Sequence, residues 1–332
     1  MRMSRMIASA AVALVCSACG TTPSEGAGTQ QTQRATGPAQ AWTRVLPWGG
    51  GAGQVARVRA ATEFMAQGPS AVALAPDGAV LVLDRLNGRV LRVTDRDVGA
   101  VATVPVDGED LAVGADGTLA VWSLLRSRVW LRDHRGADRG HVDVSRHLRG
   151  GLGITLGASR QVYLHVAHQE TYRLGSPAAP VALTQVLRSK REGAFTLADG
   201  RGVAVRRRAD GQAELWLFRA GLRGPQSRLA LPGKVLAARV VGVTGNTACL
   251  RLERAAATKT PRIAVTRRLV CVDVDHGGVR LDRALPLPPA RSYLPRRELA
   301  VGGDPARVAF VSPQADGLHV SVWPLNHGEV RP

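Results

Sequence analysis

From residue 68 onward the chain alternates short apolar runs with polar turns. The clearest stretch opens with Gly68-Pro69, then gives the run Ala71 to Leu74, the turn Pro76-Asp77-Gly78 and the run Ala79 to Leu83. A polar segment, Asp84-Arg85-Leu86-Asn87-Gly88, precedes a third run, Arg89 to Val93. Apolar runs this short, bounded by turn residues, read as β-strands. Weaker versions recur roughly every 40 residues, the period of a β-propeller in which each repeat is one four-stranded blade.

The pattern predicts six blades. Blade one takes Ala71 to Leu74, Ala79 to Leu83, Arg89 to Val93 and Val101 to Val104. Blade two takes Leu111 to Val113, Thr118 to Trp122, Arg128 to Leu131 and His141 to Val144. Blade three takes Gly153 to Leu156, Gln161 to Val166, Thr171 to Leu174 and Val181 to Leu183. Blade four takes Ala194 to Leu197, Gly202 to Arg206, Ala213 to Phe218 and Arg228 to Leu231. Blade five spans about Val235 to Leu287, and blade six has three strands near Glu298 to Val301, Arg307 to Val311 and Leu318 to Trp323. A strand from the N-terminal side, near Trp42 to Trp48 or Val55 to Ala60, is expected to complete blade six and close the ring, hiding open sheet edges. Asp77-Gly78, Asp116-Gly117 and Asp199-Gly200 fall at equivalent places, where a tight hairpin needs residues that tolerate positive φ.

The blade-one sequence resembles an NHL-type repeat over about 26 residues. It shows Gly68-Pro69, a strand, Asp77-Gly78, a second strand, Asp84, Asn87-Gly88-Arg89 and a third strand. Blade two matches in part, with Arg126-Ser127-Arg128 replacing the Asn-containing turn. The resemblance implies an all-β, six-bladed propeller of antiparallel blades. It implies no particular activity, because propellers host enzymes, receptors and scaffolds alike.

Residues 1–18 read as an export leader: Arg2 and Arg5, then an apolar run from Met6 to Val15 that is too short to stay in a bilayer. Ser17-Ala18-Cys19-Gly20 looks like a bacterial lipobox, although Cys16 stands where such motifs usually carry Leu. That resemblance implies lipidation of Cys19 and a lipid-anchored envelope protein, on the outer membrane or the outer face of the cytoplasmic membrane. Plain secretion is the alternative. Residues 19–41 are rich in Gly, Thr, Ser, Gln and Pro and read as a tether, and residues 42–332 as the propeller. Cys249 and Cys271 remain after export, in two predicted strands of blade five. An oxidising compartment and an even count favour a disulfide over two buried thiols.

The full sequence carries a formal charge of +18, almost all from arginine. In a propeller, the turns between second and third strands and the links between blades emerge on one face. Arg85, Asn87, Arg126, Arg188, Arg191 and Arg207 would share it and form a basic surface, while Asp77, Asp116 and Asp199 lie opposite. Such a field attracts polyanions. The expected partner is an acidic protein, an acidic polysaccharide or anionic lipid headgroups. Nucleic acid is not expected, because the chain is exported and only 4% of its residues are aromatic.

No nucleophile elbow, phosphate loop or dinucleotide fingerprint appears in a strand-to-helix setting. His165 and His168, with Glu170, are candidate metal ligands but read better as a polar turn. Asp84 with Asn87 could contribute to a calcium site, and reads better as a turn fixed by side-chain-to-backbone bonds. The inner runs Ala71 to Leu74, Leu111 to Val113, Gly153 to Leu156 and Leu299 to Val301 are apolar or small, so the central channel offers a metal little. The expectation is a monomeric, non-catalytic binding module with no cofactor. The alternative is a metal-dependent propeller enzyme, a lactonase-like hydrolase or a lyase.

Overall fold

A computed structural model describes residues 40–325 apart from 62–64, 149–150, 167–169, 194, 198–199, 220–221, 223, 257–263, 288 and 290–291. The segments expected to be a leader and a tether, with Cys19, lie outside the described residues up to residue 39, as do His168, Asp199, Lys259 and Arg291. No helix among the described residues is long and apolar enough to cross a membrane.

The N-terminal strand β1 spans Trp42–Pro47. Blade one is β2 (Ala71–Leu74), β3 (Val80–Asp84), β4 (Arg89–Val93) and β5 (Val98–Thr103). Blade two is β6 (Asp110–Val113), β7 (Leu119–Ser123), β8 (Arg128–Arg132) and β9 (Asp138–Asp143). Blade three is β10 (Gly151–Leu156), β11 (Val162–Val166), β12 (Glu170–Ser176) and β13 (Ala179–Pro180), followed by helix α1 (Leu183–Arg188) and a short strand β14 (Arg191–Glu192). Blade four is β15 (Phe195–Thr196), β16 (Gly202–Arg207), β17 (Gln212–Phe218) and β18 (Ser227–Lys234). Blade five is β19 (Ala237–Thr244), β20 (Thr247–Ala256), β21 (Ala264–Asp273) and β22 (Val279–Leu285). Blade six is β23 (Leu299–Gly302), β24 (Arg307–Pro313) and β25 (Gly317–Pro324), with β1 as its fourth strand.

Each blade is an antiparallel sheet; the four main strands of blades one to five lie in chain order, blade three adds β14 beside β12, blade six takes β1 after β25, and the six form a β-propeller. The predicted ring closure is present: β1 pairs with β25 from Trp42 opposite Val322 to Pro47 opposite Gly317. The turns behave as their chemistry dictates. Gly78 and Gly117 sit at φ +82° and +77°, where an L side chain is strained. The carboxylates of Asp77 and Asp116 accept the backbone N–H groups of Ala79 and Thr118 across their turns.

Blade three departs from the predicted strand. Val181 to Leu183 is not its fourth strand. β13 ends at Pro180; the Val181 N–H still reaches the Leu174 carbonyl at 3.3 Å, and the chain then leaves the sheet. Leu183–Arg188 then forms a helical turn that buries Val186 against the blade, and β14 pairs with β12 at Glu170 and Thr171.

Apolar side chains alternate along the strands and meet between neighbouring blades. Buried clusters bridge blades six and one, one and two, two and three, four and five, and five and six. Between blades three and four the described contacts are mixed. His165 stacks on Phe195 with ring centroids 5.0 Å apart, and the Thr171 hydroxyl donates to the Gly193 carbonyl at 2.7 Å.

The disulfide is formed. Cys249 and Cys271 face each other across β20 and β21, both fully buried, and the bond spans 22 residues of sequence. Closing a loop of that length contributes about 3 kcal/mol by restricting the unfolded chain. A Cys249→Ala/Cys271→Ala chain is expected to be less stable by that amount in urea unfolding. Reductant should then shift the parent's midpoint and leave the variant's unchanged.

Candidate functional site in the central channel

The innermost strands β2, β6, β10, β15, β19 and β23 line the axis of the ring. Their side chains alternate between channel and blade. Arg239, Val241 and Val243 share the channel face of β19. Arg297, Leu299 and Val301 do so on β23 and the residues before it, Asp110 and Ala112 on β6, and Gly153 and Thr155 on β10. The first level is charged, and the levels below it mix apolar residues with Thr155. The apolar or small inner runs expected from the sequence are present, but a charged level precedes them: Asp110 and Arg297 stand just upstream of the predicted runs.

Arg297 spans the upper end of the channel. Its backbone bonds blade one through Ser70 and Val72. Its guanidinium donates to Asp110 Oδ2 at 2.7 Å, to the Leu111 carbonyl at 3.0 Å and to the Ile154 carbonyl at 2.7 Å, thereby tying blades two and three. A Cβ on Gly153 would lie 2.9 Å from both the guanidinium and the Asp110 carboxylate, so only glycine leaves room for the pair. Burial pushes the Asp110 carboxyl up, against the opposing pull of Arg297 and the Ile154 N–H. Beside it, Arg296 pairs with Glu109, bonds the Gly151 carbonyl and lies over the Trp122 ring at 4.7 Å. Glu298 accepts from Arg251 at 2.7 Å and from Arg267. Arg239 has no acceptor among the described residues, and burial together with the charge of Arg251 and Arg297 holds its pKa below the usual arginine value.

Below this level a cavity of about 420 Å³ runs to the ends of the inner strands at Leu74, Val113, Leu156, Val243 and Val301. Its polar lining is Thr155, Tyr163, His165, Thr171, Thr196, Arg191 and Arg297, with no acidic residue.

His165 is buried between two threonines: Nδ1 is 3.0 Å from Thr171 Oγ1 and Nε2 is 3.0 Å from Thr155 Oγ1. Thr171 spends its proton on the Gly193 carbonyl, so it accepts from His165 Nδ1–H, and Thr155 donates to Nε2. Burial, reinforced by Arg297 and Arg239, lowers the His165 pKa to about 3. A folded-state pKa below the unfolded value means that the unfolded chain binds the proton first. This group's stability is therefore fully present above about pH 6.5 and is lost as pH falls from there toward 3. His165→Gln is expected to flatten the stability profile across that window, as measured by urea midpoints at successive pH values.

The remaining candidates lie around the ring. Asp84 is fully buried; its Oδ1 accepts the Ala56 N–H, and its Oδ2 accepts from Asn87 Nδ2 at 2.7 Å and Arg89 Nε at 3.1 Å. Asn87 also donates to the Gly49 carbonyl. The pair thus fixes the turn and anchors the incoming N-terminal segment. Arg85 reaches Gln67, and Arg126 pairs with Asp107 at 3.0 Å and lies over Trp130. The Arg207 Nε donates to the Val235 carbonyl. Arg188 closes α1 and Arg191 lines the cavity; neither has an acceptor among the described residues. Glu170 is held by Lys190 at 2.6 Å and by the Tyr172 hydroxyl. On the opposite face Asp77 pairs with Arg92 and Asp116 with Arg160. Among the described residues, no three His, Cys, Asp or Glu side chains converge as a metal-binding group.

No known family matches this sequence, and no curated protein does. Solved propellers resemble it in fold. Aldose sugar dehydrogenase from Streptomyces coelicolor is 15% identical at a TM-score of 0.46, covering 86% of this chain and 98% of its own. Virginiamycin B lyase from Staphylococcus aureus is 10% identical at 0.38, covering 86% and 99%. The Cps50 (Swd1) β-propeller domain from Myceliophteria thermophila is 12% identical at 0.41, covering 81% and 99%. Likenesses this distant carry no argument about activity.

Proposed function

We propose that the chain is an exported, lipid-anchored propeller that works as a non-catalytic binding module and takes an acidic partner on its arginine-bearing face. The observation that supports this reading is the contrast between engaged and free side chains. His165 has both nitrogens committed and is too weak a base, with a pKa of about 3, for proton transfer near neutrality. Asp84 and Glu170 are bound by neighbours. Arg188, on the link between blades three and four, is free of any acceptor among the described residues, and Arg85 next to Asn87 meets only a neutral amide. Cations without partners at a surface attract acidic groups at long range, and salt screens that attraction.

The test is salt-gradient elution of the domain from immobilised poly-glutamate and polygalacturonate. Retention is expected at low salt, and an Arg85→Gln/Arg188→Gln chain should elute earlier. An Arg92→Gln/Arg160→Gln chain loses the same charge from the opposite face and should elute later than the first pair. Equal elution of the two double variants would overturn the assignment of the face.

A further inference from the structure

The axial cavity is a second place where this protein can hold something, and its lining specifies what. Its volume, about 420 Å³, lies in the range of small-molecule sites. One wall is apolar: Ala73, Ala112, Phe195, Val241 and Leu299. The polar part of the lining includes two arginines, Arg191 and Arg297, and no acidic residue. Arg297 is matched by Asp110. Arg191 is matched by nothing among the described residues, although it stands on β14 opposite Thr171, at the cavity wall. Thr196 lines the same wall. Nearby, Arg239 adds a further unmatched positive charge, and together with Arg297 it disfavours a second proton on His165. A cation here finds repulsion and no acceptor pair. A neutral ligand leaves Arg191 as it was.

We propose that this cavity binds a small amphiphilic monoanion, an organic carboxylate whose head group meets Arg191 and whose apolar body lies against Ala112, Val241, Leu299 and Phe195. A carboxylate accepts two parallel N–H bonds from one guanidinium, which a hydroxyl cannot do. The apolar body adds affinity in proportion to the area it removes from water. Arg191, which the sequence groups with the outer face, lines this cavity, whereas Arg85 and Arg188, which carry the outer-face test, do not, so the two readings can fail separately.

The experiment is calorimetric titration of the domain with octanoate and with octan-1-ol. One octanoate per chain is expected, with octan-1-ol at least tenfold weaker. Arg191→Gln should weaken octanoate at least tenfold and leave octan-1-ol unchanged. Arg191 is exposed, so the variant should retain the parent's thermal midpoint, and Arg191→Lys should recover part of the affinity. The outer-face variant Arg85→Gln/Arg188→Gln should bind octanoate as the parent does. Absence of saturable octanoate binding, equal binding of the alcohol, or an Arg191→Gln chain that binds octanoate like the parent would each overturn the proposal. Failure of the polyanion columns with octanoate binding intact would overturn the outer-face reading alone.

Discussion

Arg297→Met is expected to remove roughly 3–5 kcal/mol of folding stability, the usual loss when one member of a buried ion pair is deleted. Three acceptors lose their donor at once: Asp110 Oδ2 and the Leu111 and Ile154 carbonyls. Asp110 is fully buried and is left with backbone N–H partners such as Ile154, its Oδ1 already without a partner. The loss should depend on pH. A carboxyl whose folded pKa is raised contributes stability that is present below its unfolded value and is lost as pH climbs through the folded value. Without Arg297 that folded value rises further, so the deficit should grow toward neutral pH and shrink in acid. Urea unfolding at pH 4 and pH 7.5 measures both. Adding Asp110→Leu to Arg297→Met should recover much of the loss, because the charge left behind is then gone. A pH-independent deficit, or a double variant as weak as the sum of its parts, would show that the pair is not ionised in the folded protein.

Removing β1 should have the largest consequence for solubility. Leu46 is fully buried in the cluster that joins blades six and one, alongside Val72, Val311 and Val320. Truncating that one side chain, Leu46→Ala, should remove about 2–5 kcal/mol. A chain that begins at residue 48 also leaves β25 as an open edge, with unpaired N–H and C=O groups along Gly317–Pro324. It is expected to elute as oligomers in size-exclusion chromatography, whereas the chain from residue 40 elutes as one species. A synthetic peptide of residues 40–48 should restore that species by adding back the strand. A truncated chain that remains a stable single species would mean that blade six does not need β1.

The blades are legible in the sequence where local chemistry decides them. Asp77-Gly78 and Asp116-Gly117 fix their hairpins with bonds inside four residues, and the flanking runs follow. The Asp84–Asn87–Arg89 network is local in the same way. The role of β1 is also legible, since blade six has three strands and an apolar segment stands at the other end. The channel is less so. Asp110 and Arg297 are 187 residues apart in the chain and meet only when the ring forms. Arg239 stands between apolar neighbours in β19, and alternation with Val241 and Val243 is the local signal that it faces the channel. In blade three, Val181 to Leu183 has strand-like composition, but β13 ends at Pro180 and Leu183 already begins the helical turn that packs Val186 on the blade.

The closing strand also sets an order of events. Thr43 and Ser321 touch across β1 and β25 yet stand 278 residues apart. During synthesis β1 emerges before every blade, and its partner emerges last. Until then the ring has two open edges and no closed structure to fall into, and contacts of such long range form slowly. Closure therefore waits for the C-terminal blade: the last strand of the described ring is the one that pairs with the first.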